Sequence, residues 1–174
     1  MQPEYLRATA LRGLPVRQGN EQIGTLGGLV YDHAARRVRG FTVHRSERTL
    51  NVWWADVDGL TRQALQVRTG IPLSHLWHGL GSVARRPVDT LTVRLPDGGG
   101  TLFVLDAFLD PTTERIVAYE VGALPQAAAA RRGLRIPAAD LSWTGQEFRP
   151  LGAAIPCLKA LQATLDASVL LRAP

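Results

Sequence analysis

Hydrophobic and polar residues alternate along most of this chain in short runs broken by turn residues, the pattern of half-buried antiparallel strands. In the first half it predicts strands near Pro15 to Arg17, Ile23 to Tyr31, Val38 to His44, Asn51 to Trp54 and Ala64 to Arg68. Turns fall at Gln18 to Glu21, Asp32 to Arg36 and Ser46 to Arg48. The second half predicts strands near Leu91 to Leu95, Leu102 to Leu109, Arg115 to Gly122, Leu134 to Pro137 and Gln146 to Arg149. Gly27 and Gly28 lie inside the second predicted strand, where missing side chains mark a bulge that lets a small sheet curl.

The two halves repeat one another. Val16 to Val43 aligns with Val93 to Val121 after one residue of slack, setting Asp32 on Asp110, Arg37 on Arg115, Val38 on Ile116, Phe41 on Tyr119 and Val43 on Val121. A repeat of this length means that the folding unit is about half the chain and mainly β. The expected domains are residues 1–78 and 89–152, joined by a linker at 79–88 and followed by a C-terminal helical segment at 153–174.

Ile155 to Leu171 reads as the one full helix, because Leu158, Leu161, Leu165 and Val169 recur at helical steps and Pro156 sits in the first turn. This stripe is expected to pack on a barrel of the same chain; a second protomer, giving a homodimer, is the alternative. The alanine-rich Leu124 to Gly133 predicts a helical turn or flap. Gly70 to Pro87 holds Ile71, Leu73, Leu76, Trp77 and Leu80, too apolar for a solvated tether, and is expected to pack against the folded units.

Composition narrows the class. Of 174 residues, 45% are apolar, which supports a folded core, and no run approaches the length of a membrane span. Cys157 is the only cysteine, so an intramolecular disulfide and a multi-cysteine zinc site are both excluded, and a cytoplasmic location is expected. The net charge of +5 is uneven: residues 1–88 hold 12 arginines against 6 acids, whereas the remainder is slightly acidic.

Chemistry-bearing residues are sparse. Asp32 and Asp110 look like an acid pair, but each opens a turn, where an aspartate accepts backbone N–H bonds, so a structural turn role is expected for both. Asp97-Gly98-Gly99-Gly100 reads as a hairpin turn, not a phosphate cradle, since no helix follows it and no lysine is near it in sequence. His75 and His78 share metal-ligand spacing without further ligands, and His33, His44, Ser46 and Ser74 give no triad by spacing. No catalytic residue, metal or cofactor is expected; a hydrolase or metal enzyme is the third-ranked alternative.

Arg36, Arg37 and Arg39, with Arg45 and Arg48 on the next hairpin, form the densest positive cluster. Arginine forks suit phosphate backbones, and Trp53 or Trp54 could stack a base, although adjacent strand residues face opposite ways and at least one tryptophan should be buried. Only Arg115 of this cluster recurs in the second copy. The five arginines are the candidate partner-binding residues; a plain solvated face is the competing reading. Arg85-Arg86 and Arg131-Arg132 read as solvated loop charges.

Gly13-Leu14-Pro15-Val16, Gln22-Ile23-Gly24-Thr25-Leu26, Leu29-Val30-Tyr31-Asp32 and Arg37-Val38-Arg39-Gly40-Phe41-Thr42-Val43 together resemble the PRC-barrel family. The second copy is similar through Leu105 to Pro111 and Arg115 to Val121, with Leu102 in place of Gly24. Ala55-Asp56-Val57 and Pro137 to Leu141 look like the segments that close such modules. The resemblance implies a mainly all-β chain, two small antiparallel PRC-type β-barrels in tandem with a packed linker and a C-terminal α-helix. Its relatives include the cytoplasmic part of photosynthetic reaction-centre H subunits, ribosome-maturation factors that bind a ribosomal protein, and stand-alone bacterial proteins. With two hairpin copies and no convergent reactive group, the expected function is a non-catalytic adaptor binding another protein; an RNA- or ribosome-associated factor using the arginine-rich first half is the alternative.

Overall fold

A computed structural model describes residues 4–72, 87–122 and 133–170, and divides into two units, residues 1–87 with 108–116, and residues 88–107 with 117–174. The Ala-rich insertion, His75, His78 and most of the linker fall outside the described residues, as do Arg85, Arg86, Arg131 and Arg132. Among the described residues no helix is long and apolar enough to cross a membrane.

The first unit begins with the two-residue strand β1 (Leu6–Arg7) and then builds a six-stranded sheet. Its strands are β2 (Pro15–Gln18), β3 (Glu21–Asp32), β4 (Arg37–Arg45), β5 (Arg48–Trp53), β6 (Val57–Leu60) and β7 (Leu65–Val67), in the order β5-β4-β3-β2-β7-β6. Alternation sends Val16, Phe41, Val43, Leu50, Val52 and Leu65 inward, each fully buried. Two register shifts between β3 and β4, at Leu26/Gly28 and Val30/Tyr31, curl the sheet. The bulge expected at Gly27-Gly28 is therefore present, and the His44 ring occupies the space a Cβ on Gly27 would need.

The second unit repeats this plan. Its sheet contains β8 (Thr92–Arg94), β9 (Thr101–Leu109), β10 (Ile116–Gly122), β11 (Leu134–Pro137), β12 (Leu141–Trp143) and β13 (Phe148–Pro150), ordered β11-β10-β9-β8-β13-β12. Each strand thus has its counterpart six places earlier. Both sheets bend back through a parallel pair, Val16 beside Leu65 and Val93 beside Phe148.

The correspondence extends to single hydrogen bonds. A 3-10 turn precedes both β6 and β12, and the carbonyls of Asp56 and Asp140 each accept an N–H at 2.8 Å, from Arg68 and Leu151. Thr61 N–H bonds the Ala64 carbonyl and Thr144 N–H the Glu147 carbonyl, both at 3.0 Å, with each hydroxyl folding back on the same turn. Mainly β architecture with two curled sheets agrees with the alternation in the sequence.

The helix α1 (Ala154–Leu170) belongs to the second unit. Ala154 and Leu158 are buried while Leu161 and Leu165 are half-buried, so the expected stripe faces its own unit in the described turns. Lys159 Nζ reaches Asp97 Oδ2 at 3.1 Å and anchors α1 to the β8–β9 turn. The strand pattern locates the three-residue β7, β8 and β13 but not β1, β6 and β12, so length alone does not separate them.

Candidate functional site

Strand β4 carries the arginine cluster because alternation turns Arg37 and Arg39 away from the buried Val38. Arg39 places Nε and Nη2 on Asp32 Oδ2 at 3.1 and 3.0 Å. Arg37 Nη1 bonds Glu114 Oε1 at 2.7 Å. Two of the five candidate arginines are therefore already opposite carboxylates of their own unit.

Arg36 adopts a left-handed backbone, φ 55°, and its carbonyl accepts the Ile116 N–H at 2.9 Å. Arg45 and Arg48 stand opposite each other across the β4–β5 turn and are exposed; Arg45 is 4.0 Å from Glu21. An open groove of about 420 Å³ runs beside Arg45, bordered by Gln22, Thr25, His44 and Ser46. The structure separates Arg37 and Arg39, each opposite a carboxylate, from the solvent-facing Arg45 and Arg48 at the β4–β5 turn, with Arg36 in the turn before β4.

Asp32 Oδ1 accepts the Ala35 N–H at 2.9 Å, and Asp110 Oδ1 accepts both the N–H and the hydroxyl of Thr112, at 2.8 and 2.6 Å. Burial works to raise the Asp32 carboxyl, but the Ala35 bond, the Arg39 fork and the charges of Arg39 and His33 outweigh it and hold the group below 3.8. Asp110 is also lowered, first by the Thr112 hydroxyl and then by the Thr112 N–H. Both aspartates sit at turns, hydrogen-bonded to the residues that follow.

Trp53 and Trp54 take different environments. Trp54 stacks on Phe41 with centroids 5.3 Å apart and is half-buried, less than the full burial expected of one tryptophan. Trp53 is 36% exposed on β5, an edge strand of its sheet. His33 is buried and stacked on Tyr31 at 5.2 Å, while His44 is exposed, its Nδ1 3.4 Å from the Thr49 hydroxyl. Among the described residues no three His, Cys, Asp or Glu side chains are grouped so as to hold a metal.

Sequence reasoning did not single out the polar face of the second sheet, where Arg94 and Arg149 border a cavity. The signal was available. Extending the repeat alignment from Thr61 to Val67 onto Thr144 to Pro150 would have matched both threonine turns and shown Arg149 standing where the first copy has Gln66. The lysine judged remote from Asp97-Gly98-Gly99-Gly100 is likewise close in space, because α1 brings Lys159 to Asp97. A scan against protein-family models finds no match, and a comparison with curated proteins finds no relative.

Proposed function

We propose that the chain is a non-catalytic binding module, two PRC-type barrels in tandem, that recruits another protein in the cytoplasm. The observation carrying this reading is that the polar residues the sequence makes prominent hold the fold: the matched Asp32 and Asp110 tie turns, and Arg37 and Arg39 meet Glu114 and Asp32. Binding then falls to exposed surface, and β5 has no strand on its outer edge among the described residues, with Trp53 as an aromatic anchor. The RNA reading has weaker support, since an arginine opposite a carboxylate must break that pair to meet a phosphate.

Affinity capture from the native host, with the full chain and its Trp53→Ala variant compared after nuclease treatment, tests this reading. A specific protein retained by the parent and lost from the variant is expected. Equal retention by both would remove β5 as the binding edge, and loss of the captured protein on nuclease treatment would favour the RNA reading. Substrate turnover abolished by Asp32→Asn or Asp110→Asn would overturn the non-catalytic assignment.

A further inference from the structure

The second unit contains a cavity of about 430 Å³ between the β8–β9 turn and β13, a volume typical of pockets for small molecules, roughly 300–1,000 Å³. Strand register explains its polar wall. Arg94 lies opposite Thr101 on β9, and Val93 lies beside Phe148 on the parallel strand β13. Val93 and Phe148 are buried, so the residues that follow them, Arg94 and Arg149, are neighbours on the opposite face. Thr101, Arg94 and Arg149 thus form a row across three strands, and all three border the cavity.

The charges in this row do not cancel. Arg94 Nε is held by Glu147 Oε2 at 3.0 Å, and the carboxylate of Asp97 is matched by Lys159. The Arg149 side chain has no ion pair or hydrogen bond among the described residues. Among the described residues one guanidinium charge is therefore without an opposite charge, beside a second guanidinium; both arginines are exposed, so water screens the repulsion, and an anion joining them would relieve what remains.

The turn above the row supplies a further feature. Gly98, Gly99 and Gly100 have φ of 72°, −66° and 96°; the Gly99 N–H is taken by the Pro96 carbonyl at 3.1 Å, which leaves the Gly98 and Gly100 N–H groups as the turn's donors among the described residues. Gly98 and Gly100 border the same cavity.

The first copy serves as an internal comparison. Its equivalent row is Gln22, Arg17 and Gln66, with Ala64 in the place of Glu147 and a turn two residues shorter. A sheet of this kind closes without the second arginine, the carboxylate or the glycine turn. All three are particular to the second copy.

We propose that this cavity binds a small molecule through a compact oxyanion, a phosphate or a carboxylate. Arg149 supplies the unmatched charge, Arg94 a second fork oriented by Glu147, and the Thr101 hydroxyl a neutral donor. The inference is independent of the protein-recruiting reading and concerns a different unit from β5.

Backbone-amide NMR of the full chain, titrated separately with inorganic phosphate and with citrate against sodium chloride at equal ionic strength, tests it. Saturable shifts at Gly98, Gly100 and Thr101 with either probe are expected, and the tighter probe identifies the oxyanion. Arg149→Gln should weaken binding about tenfold or more, Arg149→Lys by less, because it keeps the charge but not the fork. Arg17→Gln should leave binding unchanged. Shifts no greater than those with chloride, or unchanged affinity in a folded Arg149→Gln protein, would overturn the proposal.

Discussion

Arg37 in the first repeat holds Glu114, the residue at the tip of the β9–β10 hairpin, with Nη1 and Oε1 2.7 Å apart. The backbones beside them also bond, Val38 N–H to the Glu114 carbonyl at 2.8 Å and Ile116 N–H to the Arg36 carbonyl at 2.9 Å. Glu114 keeps a left-handed φ of 57° in this position. At the opposite side of the tip, Leu6 and Arg7 of β1 pair with Leu109 and Phe108, and the Arg7 guanidinium lies 5.4 Å from the Phe108 ring centre. The hairpin tip is thus a component of the first unit.

A double-mutant cycle with Arg37→Gln and Glu114→Gln should give a coupling of about 0.5–1 kcal/mol, as both side chains remain partly solvated. Urea unfolding measures it, and added salt should shrink it. Coupling indistinguishable from zero at low salt would show that the pair does not form in solution.

Acid should unfold the protein partly through Asp32. Its folded carboxyl is lowered, so its stabilisation is complete above the ordinary value of 3.8 and disappears as pH falls through the lower folded value. Asp32→Asn should consequently be less stable than the parent at neutral pH and lose less stability on acidification. Parallel stability–pH curves for the two proteins would contradict this assignment.

Two glycines should differ in their tolerance of a methyl group. At Gly40 a Cβ would collide with the Val52 carbonyl on the neighbouring strand, so Gly40→Ala should cost about 2 kcal/mol or more. At Gly27 the obstacle is the ring of exposed His44, which can rotate away, and Gly27→Ala should cost less than about 1 kcal/mol. Denaturant midpoints give the ranking, and the reverse order would refute the close approach of β4 and β5.

The paired threonine turns predict paired costs. Thr61→Val and Thr144→Val each remove a hydroxyl bonded to turn backbone, and each should destabilise by about 1 kcal/mol. A loss at only one site would break the equivalence of the copies.

Long strands were legible in the sequence because burial on one face imposes alternation over many residues, as from Glu21 to Asp32 and from Thr101 to Leu109. Gly27 announced its bulge because a residue without a side chain inside a strand needs a reason. The brief strands β6 and β12 were illegible, since each follows a 3-10 turn and shows no clean burial alternation of its own, although its partner is the next strand in the chain. The arginine cluster was visible as composition, but its partners were not: Glu114 lies 77 residues from Arg37. The repeat alignment shows Arg149 in the place of Gln66, but only the parallel pairing of β8 with β13 makes Arg94 and Arg149 neighbours.

The central claim, that one curled sheet was built twice in the same way, rests on the two parallel pairs. Nuclear Overhauser spectroscopy of the labelled full chain measures them directly, through contacts between the backbones of Val16 and Leu65 and of Val93 and Phe148. The account predicts cross-strand contacts of parallel pattern at both places. Their presence at one pair and absence at the other, or an antiparallel pattern at either, would contradict it.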